Sequence, residues 1–261
     1  MSSKAARGNK LPVADVSLDR AILGLIKRTG ARAVCDYGCG DGALLKRLDR
    51  MTGQRLQLTG IDYFSSRKKE DRPKGAGNLR FIDRVSREYR RVVEQGGVFD
   101  LIVSAFTLHH FRRPLEELAV LGRLLKPRGT LFLADLEFAN DSGDQAAKNL
   151  FSFLSEEFHT FQGTYHRHHY TRDEALPLFA AAGLAVRSSR SLTVDFPGHE
   201  RKEETGHALR NLDRMRVANR KTANAHQRRY FDARIEQMAA LVKQHGIDYS
   251  RLFTVTAARR P

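Results

Sequence analysis

The 261-residue chain has no tryptophan, two cysteines, 8% aromatic residues and no apolar run near the roughly 18 residues that a membrane-spanning helix requires. Each scarcity excludes something. With so few aromatics there is no sign of the stacking platform by which single-strand nucleic-acid binders hold bases. Cys35 and Cys39 form a lone CxxxC pair, too few for a disulfide framework and without further ligands for a metal, so they read as small residues suited to tight packing. The start, MSSKAARGNK, has no apolar segment of the secretory type, and the expectation is a cytosolic protein with neither signal nor membrane span. A hydrophobic content of 41% suffices for a buried core and suits one large α/β domain with an appended lobe.

Negative charge is also scarce relative to positive. The formal charge is +15 and the pI about 10.2. Such a balance favours anionic partners: nucleic acid, acidic carrier proteins, coenzyme A derivatives or acidic membrane surfaces. The arginines and lysines are scattered rather than gathered, which equally describes a solvated surface.

The stretch that organises the chain is residues 33–45, AVCDYGCGDGALL. A β-prone run ends in Asp36, glycines alternate at Gly38, Gly40 and Gly42, and a helical pattern follows. Strand, tight turn and helix start bring backbone amides close to a ligand where a Cβ would intrude. GCGDGA also fits the loose dinucleotide fingerprint, so a nicotinamide dehydrogenase is one reading of the loop alone. Asp36 argues against it, since a carboxylate aimed into the crevice repels a pyrophosphate and suits a cation. A second strand pattern, residues 56–61, ends in Asp62, about 20 residues past the loop, where an acid commonly hydrogen-bonds ribose hydroxyls.

VCDYGCGDG, Asp62, the later FDLIVSAFTLHHF and LLKPRGTLFLAD together resemble the class I S-adenosylmethionine-dependent methyltransferases. The likeness is to the small-molecule, type 11-like group that includes quinone and malonyl-thioester enzymes, and it covers residues 34–186. It implies a doubly wound, Rossmann-like α/β fold with a seven-stranded, mostly parallel sheet, and S-adenosylmethionine as cofactor with S-adenosylhomocysteine as product. It further implies a donor site built from Asp36, Gly38, Cys39, Gly40, Gly42, Asp62, Tyr63, Asp83, Ser104 and Phe106. Asp83, just past the third strand, stands where the family reads the adenine amino group.

In chain order, residues 1–13 read as a disordered basic tail, and Ser17 as the N-cap of a first helix ending at Gly30. Residues 14–196 and 247–261 form the expected core, with strands at 79–82, 99–105, 130–135, 184–194 and 252–257. Thr171 and Glu174 spell a capping box. Residues 67–77 read as a charged solvent-facing loop. Where the family joins its last two strands by a short hairpin, residues 197–246 intervene with a helical pattern. Phe231, Ile235, Met238 and Val242 make one apolar stripe of that insertion; Leu209, Leu212 and Met215 make a weaker one. Its other face carries Arg210, Arg214, Arg216, Arg220, Lys221, Arg228 and Arg229. It is either a basic lid gripping an anionic substrate or a pair of covering helices that could form a homodimer contact.

Methyl transfer from a sulfonium is an in-line displacement that gains mostly from alignment and desolvation, so no single motif marks the acceptor side. The candidates are His109, His169 and Tyr165, within the wider set His110, His166, His168 and Tyr170. Histidine titrates near working pH and can take a proton from a hydroxyl, amine or thiol. The tight x-H-x-H-H spacing lets few rings converge, and no metal is assigned. The leading expectation is methyl transfer to an oxygen or nitrogen of a small, anionic acceptor. RNA or protein methylation through the basic insertion is the alternative, and a non-catalytic S-adenosylmethionine-binding regulator is a third reading.

Overall fold

A computed structural model describes residues 13–65, 70, 72–163, 165, 167–194 and 198–260. Residues 1–12 of the tail expected over 1–13, part of the charged loop, His166 and Pro197 lie outside the described residues, and Val13 already belongs to the first helix.

Helix α1 (Val13–Thr29) begins ahead of Ser17, which is inside the helix and not at its N-cap. Nothing between Pro12 and Ser17 breaks a helix, and proline is well suited to a helix start. Strand β1 (Ala33–Tyr37) feeds the glycine turn and α2 (Ala43–Thr52), which Gly53 closes in the left-handed conformation. Strands β2 (Gln57–Asp62) and β3 (Leu79–Asp83) follow. Next comes α3 (Arg87–Gln95), which sequence reasoning passed over because only Val92 is buried on it. Its signal was Ser86, whose hydroxyl accepts from the Tyr89 amide as N-cap.

Strand β4 (Phe99–Ala105) leads through a single 3-10 turn at Leu108–His110 to α4 (Pro114–Leu124). Strand β5 (Leu125–Leu136) starts five residues before the expected Thr130. Leu125 pairs with Phe99, the chain then bulges, and Thr130 resumes opposite Leu101. Gly129 makes the bulge possible, because a Cβ there would lie 2.9 Å from the Lys126 carbonyl and 3.0 Å from that of Phe99. Helix α5 (Gly143–Phe161), α6 (Arg172–Ala181) with its Thr171–Glu174 capping box, and β6 (Leu184–Thr193) complete the family-like portion. Helices α7 (Gly198–Asn219) and α8 (Ala225–His245) stand between β6 and the last strand, β7 (Arg251–Arg259).

The sheet has seven strands in the order β3-β2-β1-β4-β5-β7-β6, parallel except that β7 runs antiparallel to β5 and β6. Strand order reverses between β1 and β4, the place where doubly wound sheets open a crevice at their carboxyl ends. The period of two divides side chains between faces. Cys35, Tyr37, Ile61 and Ile102 face α3, α4 and α6; Val34, Leu58, Leu101 and Val103 face α1 and α2. A third core is mainly helical: Phe151 and Leu154 of α5, Leu212 and Met215 of α7, and Phe231, Ile235, Met238 and Val242 of α8, joined by Ile247 just past α8. The full predicted stripe of the second insertion helix is therefore buried, against α5 and α7. No helix among the described residues is long and apolar enough to cross a membrane.

Candidate active site

Two cavities meet at Phe106, which lines both. The smaller, about 170 Å³, lies over the glycine turn and is walled by Leu18 and Ile22 of α1, by Asp36, Gly38, Cys39 and Asp41, and by Ala43, Leu44 and Arg47 of α2. Gly38, Gly40 and Gly42 all take the left-handed backbone, at φ 84°, 58° and 76°. Their reasons differ. A Cβ on Gly38 would strike the Thr107 methyl at 2.2 Å and one on Gly42 the Phe81 ring at 2.6 Å, whereas one on Gly40 would meet nothing within 4 Å. Gly38 and Gly42 thus serve packing, and Gly40 leaves space open.

Asp36 follows the parity of Val34 and points to the α1 and α2 face, and its register partner is Gly60. Asp62, two residues beyond Gly60, shares that face. Burial, and then the nearby Asp62 charge, push the Asp36 carboxyl up to about 7, while Arg47 pulls it back. Asp62 accepts the Gly40 amide at 2.7 Å and the Tyr63 amide at 2.6 Å, tying the second strand end to the glycine turn.

Of the other expected donor-site residues, Asp83, Tyr63 and Ser104 line neither cavity. Asp83 is the register partner of Asp62 and accepts the Val85 amide. Tyr63 is 48% exposed, with the Arg84 guanidinium 4.6 Å from its ring centre. Ser104 is fully buried, its hydroxyl donating to the Tyr37 carbonyl and 2.5 Å from that of Thr107, so it braces the turn from behind and lines neither cavity.

The larger cavity, about 750 Å³, is a chamber between the sheet's carboxyl edge and a wall made by α5 and α7. Phe106, His109, His110, Leu136, His169 and Leu252 form its floor; Phe151, Ser152, Ser155, Phe158 and His159 come from α5. From α7 come Glu200, Glu204, His207, Ala208, Asn211, Arg214, Met215 and Ala218. Of the insertion's described arginines and lysines only Arg214 reaches this lining, beside His207 and against two glutamates. Burial raises the Glu204 carboxyl above its ordinary value.

His109 on the floor is held at two points by Asp135. Its Nδ1 lies 2.8 Å from Asp135 Oδ1 and its backbone amide donates to Asp135 Oδ2 at 3.1 Å. A carboxylate accepts, so Nδ1 carries the hydrogen and basicity resides at Nε2. His169 stacks edge-on to His109 at 4.8 Å, and its Nδ1 lies 3.2 Å from the Ser152 hydroxyl. Burial, with the neighbouring His109, pushes His110 down to about 4, so it is neutral at working pH.

Tyr165 lines neither cavity, and its hydroxyl donates to the Phe111 carbonyl at 3.0 Å. His168 turns to Glu156 at 2.7 Å and Tyr170 packs under Arg167, so the histidine run disperses and His169 alone of the described members reaches the chamber. Sequence reasoning missed Asp135 as partner of His109, although it ends an apolar strand as Asp36 and Asp62 do. It also missed the walls from α5 and α7 and the Asp19–Arg47 pair beside the crevice, none of which carries a local motif.

The family described as "Methyltransferase domain" matches residues 16–189. A ubiquinone biosynthesis O-methyltransferase of Xanthomonas oryzae pv. oryzae is 36% identical over 108 residues, 41% of this chain and 44% of that relative. The chain thus spans less than half the length of the curated relatives it matches. Among solved structures, a cyclopropane-fatty-acyl-phospholipid synthase-like protein of Lactobacillus casei superposes with a TM-score of 0.62 at 14% identity, covering 94% of this chain and 91% of that one. A Bacillus halodurans protein assigned as a methyltransferase gives 0.56 at 13% identity, with 94% and 100% covered. These two establish likeness of fold. The family match takes in the glycine turn, Asp62, Phe106 and the His109–Asp135 pair, and on it the chain belongs to the methyltransferase-domain family.

Proposed function

We propose that this enzyme methylates an oxygen, or else a nitrogen, of a small acceptor held in the 750 Å³ chamber, with His109 as general base. The observation that carries this reading is the double grip of Asp135 on His109 at the chamber floor. The carboxylate fixes the ring's orientation and tautomer and stabilises the imidazolium that forms when Nε2 takes the acceptor's proton. The relatives' printed role as O-methyltransferases supports an oxygen acceptor.

The residues present fit the donor. S-adenosylmethionine supplies a methyl group on a sulfonium whose departure as a thioether needs no acid. The open side of Gly40 gives its nucleoside room, Asp62 at the end of β2 is a carboxylate of the kind that ribose hydroxyls bond, and the buried Asp36 offers a negative charge to a cation. Phe106, common to both cavities, marks where donor and acceptor sides adjoin and helps exclude water.

The chamber bears on the acceptor's character. Phe106, Leu136, Phe151, Phe158, Met215 and Leu252 make it largely apolar, and Glu200 and Glu204 against Arg214 favour a neutral or cationic acceptor over the anionic one that composition suggested. Titration calorimetry with S-adenosylmethionine, paired with a turnover assay on phenolic and amine acceptors, tests the reading. His109→Ala should keep donor affinity and lose roughly 10²- to 10⁴-fold in turnover. Turnover equal to wild type would refute the role of His109.

A further inference from the structure

One wall of the donor crevice has no counterpart in the glycine motif. Helix α1 brings Leu18 and Ile22 to it, and α2 brings Arg47. The two helices are clipped together by a bidentate ion pair: Arg47 Nε donates to Asp19 Oδ2 at 2.7 Å and Nη2 to Oδ1 at 3.1 Å. Asp19 is 3% exposed and Arg47 8%. Fork-on-carboxylate geometry fixes orientation as well as distance, so α1 cannot slide along α2 without breaking both bonds. Asp19 does not line the crevice, but Arg47 does, and the Arg47 charge acts on the Asp36 carboxyl across it.

We propose that Asp19 and Arg47 are positioning residues for the methyl donor: the pair holds α1 as a wall of the crevice, and Asp19 offsets the Arg47 charge beside the place a sulfonium must occupy. The inference rests on this crevice being the donor site. S-adenosylmethionine carries a positive sulfur that S-adenosylhomocysteine lacks. Removing one negative charge from beside Arg47 therefore acts on the donor more than on the product, because a charge interacts with the net change in potential whatever else surrounds Arg47. A clip serving stability alone would alter both affinities by the same factor.

Titration calorimetry of both ligands against wild type, Asp19→Asn, Asp19→Glu and Asp36→Asn decides it. Asp19→Asn should lose roughly tenfold in donor affinity and markedly less in product affinity. Unchanged affinities, or equal losses for the two ligands, overturn the inference. Should Asp19→Asn not fold, Asp19→Glu carries the test: with its charge kept it should preserve the wild-type ratio of donor to product affinity while weakening both, and a changed ratio overturns the proposal. Failure of wild type to bind either ligand, or unchanged donor binding in Asp36→Asn, would instead overturn the assignment of the crevice.

Discussion

Asp135 holds His109 at two points, the ring Nδ1 at 2.8 Å and the backbone amide at 3.1 Å, one carboxylate oxygen to each. The second bond fixes where the ring is hung and the first fixes which way it faces. Asp135→Asn keeps the shape but can present an N–H to Nδ1, inverting the tautomer. Turnover should fall by about 10²- to 10⁴-fold with donor affinity unchanged, measured by steady-state kinetics and calorimetry on the same preparation.

Asp36 has its carboxyl raised to about 7, first by burial and then by Asp62, with Asp41 adding and Arg47 opposing. The folded pKa lies above the unfolded one, so the stability this group contributes is complete at low pH and is lost as pH rises through about 7. The melting temperature of the ligand-free protein should fall between pH 5 and pH 8, a range chosen to bracket that value, and Asp36→Asn should flatten the slope. Donor affinity should move the opposite way, rising over the same range as the carboxylate ionises to meet a cation. A pH-independent donor affinity in wild type would contradict this.

Gly40 and Gly53 form a matched pair: φ is 58° and 61°, and a Cβ on either meets nothing within 4 Å. Each alanine substitution should cost about 1–2 kcal/mol in stability by denaturant titration, the left-handed strain of an L-residue. Only Gly40→Ala should weaken S-adenosylmethionine binding, since Gly53 merely ends α2. Equal binding by both variants would show that the open side of Gly40 is not donor space.

Leu212 is fully buried where α7 meets α5 and α8. Leu212→Ala should cost about 2–5 kcal/mol through the cavity it leaves. Because α7 is also a chamber wall, the Michaelis constant for the acceptor should rise more than that for the donor. A proportional loss in both would place the effect in global stability alone.

Much of this molecule could be read in advance because the relevant physics is local. A glycine forced to positive φ, an acid closing an apolar strand and a Thr-x-x-Glu cap need only their immediate neighbours to be recognised. That is why Asp36, Gly40, Asp62 and the Thr171–Glu174 box stand out in the chain. The β5 start was misjudged because its first residue, Leu125, is in the strand only through Phe99 across the bulge. Helix α3 went unseen because it buries too little to show a stripe.

The acceptor side was legible only in its residue types. His109 and Asp135 are 26 residues apart, and what joins them is the parallel pairing of β4 with β5. Tyr165 and His169 looked equivalent in the chain, and packing sent one to the Phe111 carbonyl and the other to the chamber. The insertion's arginines suggested a grip on an anion, yet the buried stripes of α7 and α8 turn the helices so that Arg214 alone reaches the lining. By itself the sequence determined the fold class, the glycine turn and the two strand-end acids, because backbone conformation and alternating burial are encoded at short range. The tertiary structure alone decided which histidine is gripped, which charges face the chamber and that Asp19 stands behind the crevice wall, because those depend on elements far apart in the chain meeting across the sheet.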